Sequence, residues 1–178
     1  RPSTLEVAKV ILVGTANGGG VRILREIHRG RTYVPGVGRR MRPEVLFSFA
    51  ALFQDLPVYR EDVFVDGRGE PLDLDLMEPA TWTGYGLSSF SAESEARLER
   101  RRAEALFGDR ELRITALERF LDRARRLHRA LRRDVPGFDS RYYSIQNVGD
   151  PTPDRAVLRP RPGGGWELLF TGDPELRR

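Results

Sequence analysis

The segment VILVGTANGGG, Val10 to Gly20, contains the first residues whose types and spacing could do chemistry. Four glycines within seven residues follow a short apolar run, and the main-chain N–H groups of such a turn can hold a phosphate. The glycine spacing does not match the G-x-G-x-x-G fingerprint of dinucleotide-binding proteins, and the sequence lacks the Gly-Lys-Ser/Thr of a P-loop. An anion or nucleotide bound at the Gly18–Gly20 turn is therefore the less favoured hypothesis for this segment.

The segment GLSSF, Gly86 to Phe90, matches the first three positions of the nucleophile elbow G-x-S-x-G, in which a serine attacks an ester. The elbow also requires a strand before it and a glycine at its end, because a side chain there would clash in the sharp turn. Phe90 occupies that last position, and the preceding TWTGY lacks the pattern of a core strand. Ser88 is therefore not predicted to be a nucleophile.

No cofactor or metal is predicted. The two histidines, His28 and His128, are far apart in the sequence, without the paired spacing of a zinc site, and the chain has no cysteine. His28 ends a predicted helix, where the helix dipole favours histidine, and His128 lies beside the apolar stripe of another helix. A cluster of acids lacks the one-three-five spacing and closing glutamate of a calcium loop: Asp62, Asp66, Glu70, Asp73 and Asp75.

Several aromatic side chains could line an acyl channel or could equally form the core of a cap, since apolar residues are more often packing than ligand contacts. We take four of them as candidate substrate-binding residues: Phe49, Phe53, Trp82 and Tyr85. Phe47 belongs to the same apolar region.

Hydrophobic periodicity predicts the elements that must position these groups. The first is a fully buried strand at Val7–Val13, followed by a helix over Val21–Ile27. A short apolar helix begins at Pro43 and stops before Pro57, a hairpin turns at Asp66–Pro71, and a charged helix covers Glu93–Phe107.

The longest predicted helix is Glu111–Arg133, with one apolar stripe opposite its arginines. The stripe comprises Leu112, Ala116, Leu117, Phe120, Leu121, Ala124, Leu127 and Leu131. A strand at Arg141–Gly149 and a hairpin closed by Gly163–Gly165 follow. A mostly helical block between two core strands is the pattern of a cap inserted into an α/β sheet.

Length and charge limit the possible partners. A chain of 178 residues forms one domain, or one domain with an insertion. Its net charge is +4, but the arginines alternate with acids, as in ESEARLERRRAEA, so we expect no nucleic-acid partner. No apolar run approaches the ~20 residues of a membrane span.

Because the chain begins at Arg1, we expect the natural N-terminus upstream, so the absence of a signal-peptide pattern carries little weight; the compartment is left open, with the cytoplasm slightly favoured.

Five segments resemble, in the same order, parts of the lecithin:cholesterol acyltransferase family of α/β-hydrolase lipases. VILVGTANGGG is similar to the strand and turn that follow the nucleophile helix, and FSFAALFQDLP to a cap helix. DVFVDGRGEPLDLDLMEPATWTGYGLSSF is similar to the extended part of the cap, and LERFLDRARRLHRALRR to its long helix. YYSIQNVGDPTP is similar to the core strand Y-x-I-x-G-x-G-x-P-T.

The sequence also departs from the family pattern. Ala16 and Gly20 replace the usual proline and serine of the first turn, and Gln146–Asn147 replace a small-residue turn. Asp173, in TGDPE, resembles the family's Gly-Asp-Gly acid but lacks the Gly-Thr-Val that follows it. It is the candidate catalytic acid within the chain.

The resemblance implies a partial α/β-hydrolase core sheet with a large, mainly helical cap. Residues 1–20 would be a core strand and turn, residues 21–138 the cap, and residues 139–178 a core strand plus a β-hairpin. The implied function is acyl-ester hydrolysis or O-acyl transfer on a lipid-like substrate, with the nucleophile before Arg1 and the acid and histidine after Arg178. If the absence of the triad is taken at face value, the alternative is a noncatalytic interaction domain derived from a hydrolase cap.

Overall fold

The computed structural model describes residues 8–14, 18–32, 38, 40–59, 62–101, 107–133, 141–145 and 152–177, and the structural statements below concern these residues. Several predicted features lie outside them: the strand ends at Val7 and Gly149, the substituted turn residues Ala16 and Gln146–Asn147, and most of the final turn of the predicted Glu93–Phe107 helix.

The described elements are one strand, then a mainly helical block that contains one short strand, and then three consecutive strands. The strands are β1 Lys9–Val13, β2 Phe64–Val65, β3 Arg141–Ile145, β4 Ala156–Pro160 and β5 Trp166–Phe170. The helices are α1 Val21–Arg29, α2 Pro43–Phe47, α3 Ala50–Gln54, α4 Pro79–Gly84, α5 Ala92–Arg100 and α6 Arg110–Leu131. Short 3-10 turns cover Ser88–Phe90 and Pro174–Arg177.

The strands form two separate sheets. β1 and β3 pair in parallel, from Lys9 opposite Arg141 to Val13 opposite Ile145. The second sheet has the order β2-β4-β5, with β2 parallel to β4 and β4 antiparallel to β5. The predicted α/β class is therefore confirmed, and so is the C-terminal hairpin. That hairpin pairs with β2 of the helical block and not with β3.

The prediction of a fully buried first strand is wrong for the described residues. Ile11 and Val13 of β1 are 61% and 68% exposed, and every residue of β3 is exposed. A strand becomes fully buried when it has neighbours on both sides and layers over both faces. β1 has one described neighbour, β3, so its apolar side chains stay uncovered.

The apolar segment after Pro43 forms two short helices instead of the single predicted helix. Phe49, between α2 and α3, has an extended backbone with φ −92° and ψ 90°. The break allows Phe47 and Phe53 to enter the core together, with their rings edge to face and their centroids 5.6 Å apart. Tertiary packing thus overrides the helical period of the local sequence.

The hairpin predicted at Asp66–Pro71 is only partly present. The turn is closed by Asp66 N–H donating to the Glu70 carbonyl at 2.9 Å, and Val65 forms an isolated antiparallel bridge with Pro71. The chain after Pro71 does not continue as a described strand, and β2 pairs with β4 instead.

Helix α6 agrees with its prediction in length but not in its entire apolar stripe. Ala116, Leu117, Leu121 and Ala124 are buried, whereas Leu112, Leu127 and Leu131 are exposed. In their place, the helix buries Arg113. Its guanidinium pairs with Glu95, donates to the carbonyls of Phe107 at 2.9 Å and Gly108 at 3.1 Å, and lies over the Phe90 ring. These partners compensate for removing the charge from water.

The glycine turn before α1 lies directly against the main chain at the end of α3. Gly20 N–H donates to the Asp55 carbonyl at 3.0 Å, and Val58 N–H donates to the Gly18 carbonyl at 2.9 Å. Gly19 has φ +74°, and a Cβ there would be 2.0 Å from the Leu56 carbonyl oxygen. Gly19 is therefore required both by its backbone conformation and by the close approach of two main chains.

We predict that Gly19→Ala destabilises the chain by more than about 2 kcal/mol, because it combines a left-handed backbone with a main-chain clash. Equilibrium urea unfolding measures the change. The control is Gly84→Ala in α4, where a Cβ meets nothing within 4 Å, and the expected change is within about 1 kcal/mol. Equal stability of the two variants would contradict the prediction.

Candidate functional site

An open cleft of about 680 Å³ separates the last turn of α1, the end of α4 and the β4–β5 hairpin. Its volume is in the range of small-molecule sites, which makes it the first candidate for a functional site. The side chains that matter for its chemistry are His28, Arg42, Tyr85, Arg161 and Trp166.

A pair of hydrogen bonds attaches the Ser88–Phe90 turn to the end of α1. Ser88 has φ +54°, an uncommon conformation for a residue other than glycine. Its N–H donates to His28 Nδ1 at 3.1 Å, and its Oγ donates to the Ile27 carbonyl at 3.0 Å. The Ser88 hydroxyl is fully buried. It therefore serves as a structural tie, without the strand-and-helix setting that exposes the serine of a nucleophile elbow.

The protonation of His28 follows from its burial and from two neighbouring charges. Burial of the imidazole, followed by the charges of Arg29 and Arg161, lowers the pKa of His28 from 6.5 to about 4. The ring is therefore neutral at pH 7. Because Nδ1 accepts the Ser88 N–H, the remaining ring proton is assigned to Nε2. A neutral N–H donor then belongs to the wall of the cleft.

The four aromatic candidates do not come together in one channel. Trp82 and Phe53 are fully buried in the core, with ring centroids 5.3 Å apart, and Trp82 Nε1 donates to the Leu76 carbonyl at 2.7 Å. Phe49 is 49% exposed and does not line the cleft, whereas Tyr85 does. Tyr85 contacts Trp166, whose ring centroid is 5.0 Å away.

Trp166 was not among the residues selected from the sequence. The sequence signal that marks it is its position directly after Gly163–Gly165, where the second arm of the hairpin begins. Its proximity to Tyr85, 81 residues earlier in the chain, is a tertiary contact that no local pattern contains.

Asp173, the candidate catalytic acid, anchors the C-terminal turn to α1. Its Oδ2 accepts from Arg29 Nη2 and from Phe170 N–H, both at 2.6 Å, and its Oδ1 lies 3.2 Å from Arg25 Nη2. The carboxylate is 1% exposed. Among the described residues, Asp173 has no histidine partner, and its hydrogen bonds join α1 to β5.

The other residues considered for chemistry, Asp66 and His128, have contacts that stabilise the fold. Asp66 accepts the N–H groups of Glu70 and Arg68, and these hydrogen bonds lower its pKa. Burial lowers the pKa of His128, which faces the core from α6. The described residues contain no group of three His, Asp or Glu side chains that could hold a metal, and none of the described helices is both long and apolar enough to cross a bilayer.

Comparison of the chain with models of protein families, with curated proteins and with solved structures finds no significant match. The resemblance to lecithin:cholesterol acyltransferases therefore depends on the five sequence segments.

We predict that His28 makes stability depend on pH between about 6.5 and 4. The unfolded chain takes up a proton in this range while the folded chain does not, so stability decreases as the pH falls through it. At pH 4.5 the loss from this residue is on the order of 2 kcal/mol.

The measurement is urea unfolding at pH 7 and pH 4.5 for wild type, His28→Asn and His128→Asn. The Asn amide oxygen can still accept the Ser88 N–H but does not titrate, so His28→Asn should lose less stability on acidification. His128→Asn retains the contribution of His28. Identical pH dependence in wild type and His28→Asn would show that His28 does not contribute.

We predict that Asp173→Asn destabilises the chain by about 2–3 kcal/mol, because the Arg29 guanidinium loses its buried partner. Urea unfolding at pH 7 measures the change. Asp122→Asn, which removes the exposed ion pair with Arg126, is the control and should change stability by less than about 0.5 kcal/mol. A small effect at position 173 would argue against the anchoring role.

Proposed function

We propose that this chain is an internal segment of a lipase-like α/β-hydrolase, an acyl-ester hydrolase or O-acyltransferase acting on lipid-like substrates. The observation that carries the proposal is the parallel pairing of β1 with β3 around one long insertion. Under this proposal, β1 and β3 are neighbouring core strands, and the block between them is the cap.

The length and content of the connection support the cap assignment. Parallel neighbours require a crossover, which is usually one helix of a dozen or more residues. Here all six described α-helices and strand β2 lie between β1 and β3. The helices pack on one another and on the β2-β4-β5 sheet, forming one apolar core that includes Leu24, Phe47 and Leu117. This core includes β4 and β5, which follow β3, so the inserted block buries its apolar faces partly against the C-terminal hairpin.

The exposed faces of β1 and β3 also support the proposal. Parallel strands are found in sheets whose two faces are covered, and an isolated pair of strands is marginal in water. The apolar side chains of Ile11, Val13 and Ile145 are more than half exposed. In the proposed parent enzyme, further core strands and helices cover these residues.

The proposed chemistry is covalent acyl transfer. A serine attacks the ester carbonyl while a histidine takes its proton, the alcohol leaves, and water or a second alcohol removes the acyl group from the serine. The triad belongs to flanking sequence in this proposal. The described residues supply two parts of the proposed enzyme, the glycine turn after β1 and the cap. The role of the cap is to exclude water from the acyl site.

The contact of the glycine turn weighs against the anion-binding alternative at Gly18–Gly20. The Gly20 N–H is used by the Asp55 carbonyl, and the carbonyl oxygens of Asp55 and Leu56 lie against Gly19. Carbonyl oxygens repel an anion, so the turn serves better as a packing surface than as a phosphate cradle. The noncatalytic interaction domain is the alternative that the following experiment separates from the proposal.

The test uses the chain together with its flanking coding sequence. We expect hydrolysis of p-nitrophenyl butyrate and covalent labelling by a fluorophosphonate. Replacing the serine of an upstream G-x-S-x-G by alanine should abolish labelling and reduce kcat/KM by at least about 10³-fold.

Ser88→Ala in the same protein is the matched control. Because the Ser88 hydroxyl is buried and donates to a carbonyl, this variant should keep its labelling and its turnover per folded molecule. Absence of ester turnover and labelling in the extended wild-type protein would favour the noncatalytic domain. Loss of labelling in Ser88→Ala alone would place the nucleophile in this chain and overturn the proposal.

A further inference from the structure

The cleft beside His28 contains two arginines whose guanidinium groups have no partner among the described residues. Five arginines line it: Arg29, Arg40, Arg42, Arg97 and Arg161. Carboxylates engage Arg29 and Arg97, and Arg40 donates to a main-chain carbonyl. The main chains of Arg42 and Arg161 are hydrogen-bonded, but the described part of the chain contains no hydrogen-bond or ion-pair partner for either guanidinium group. Unpaired guanidinium groups in one cleft are suitable donors for a carboxylate or a phosphate.

The surroundings of His28 add to the positive character of this region. The charges that act on its imidazole are those of Arg29 and Arg161, and both lower its pKa. Asp173 pairs with Arg29, so the charge beside His28 without a carboxylate partner among the described residues is that of Arg161. The imidazole of His28 and the guanidinium groups of Arg29 and Arg161 therefore belong to the same part of the cleft lining.

Acidic residues limit the charge of the ligand. Glu93, Glu167 and Glu175 also line the cleft, and Glu93 lies 3.8 Å from Arg97. Their charges disfavour a polyanion that would extend along the whole cleft. The wall fits a ligand with one anionic group on an otherwise uncharged body.

Tyr85 and Trp166 provide a surface for that body. Their rings are tilted by 52°, and Trp166 is 40% exposed although it packs on Tyr85. Exposed aromatic faces beside charged donors bind ligands that have an apolar or aromatic part and a polar end.

From these contacts, we propose that the cleft binds a small organic anion. Arg42 and Arg161 hold its phosphate or carboxylate group beside His28, and its apolar or aromatic body lies against Tyr85 and Trp166. This binding does not depend on the acyl chemistry proposed above, and it is tested on the chain by itself without any turnover assay.

The probes are phenyl phosphate and methyl phosphate, which share the anionic group and differ in the aromatic body. NMR titration of the imidazole signals follows binding, because the chain has two histidines and one of them is a built-in control. Bound anion should raise the pKa of His28 and leave that of His128 unchanged. Phenyl phosphate should bind more tightly than methyl phosphate.

Three variants separate the contributions. Arg161→Gln should weaken both probes at least about tenfold, as expected when a charged hydrogen bond is lost. Trp166→Leu should remove the preference for phenyl phosphate while leaving the affinity for methyl phosphate unchanged. Arg123→Gln, on the exposed face of α6 outside the cleft, should change neither.

Circular dichroism and urea unfolding establish that each variant is folded, and Arg42→Gln replaces Arg161→Gln if the latter is not. No shift of the His28 signal at 20 mM phenyl phosphate would overturn the proposal. Equal weakening by Arg123→Gln would also overturn it, because the binding would then be unspecific charge attraction. Equal affinity for the two phosphates in wild type would refute the role of the aromatic pair.

Discussion

The structure depends on helix α1 being held at both ends. Its apolar face, Val21, Leu24 and Ile27, is fully buried, so the helix cannot move without exposing core. At its N-terminus, the glycine turn is hydrogen-bonded to the main chain after α3. At its C-terminus, His28 accepts from the Ser88–Phe90 turn, and Arg29 pairs with Asp173 after β5. Segments that are far apart in sequence are thus attached to nine residues of helix.

This arrangement also explains the position of the cleft. The residues that tie α1 to its neighbours, His28 and Arg29, are the same residues that form one wall of the cleft. Their side chains are held by hydrogen bonds and an ion pair, so this wall is preorganised. The β4–β5 hairpin also lines the cleft, and it is joined to α1 through Asp173. A residue selected as a possible catalytic acid therefore contributes to the geometry of a different site.

The sequence predicted where individual helices and strands lie better than it predicted which elements pack or pair with one another. The helix at α1 and the long helix α6 follow from apolar residues at three- and four-residue steps, and the C-terminal hairpin from three consecutive glycines. The break in the helix after Pro43 could not be predicted, because it results from packing of Phe47 against several rings of the core. For the same reason, Trp82 and Phe53 resemble ligand contacts in sequence but are core residues in the structure.

The sequence alone determined the α/β class and the main helices, because these depend on local periodicity. The tertiary structure alone decided that Ser88 supports His28, that Arg113 is buried and that Tyr85 meets Trp166. Each of these features depends on a contact between segments that are distant in the chain, or on which element packs over a given side chain. A pattern within a few residues does not record such contacts, since the same pattern is compatible with many partners.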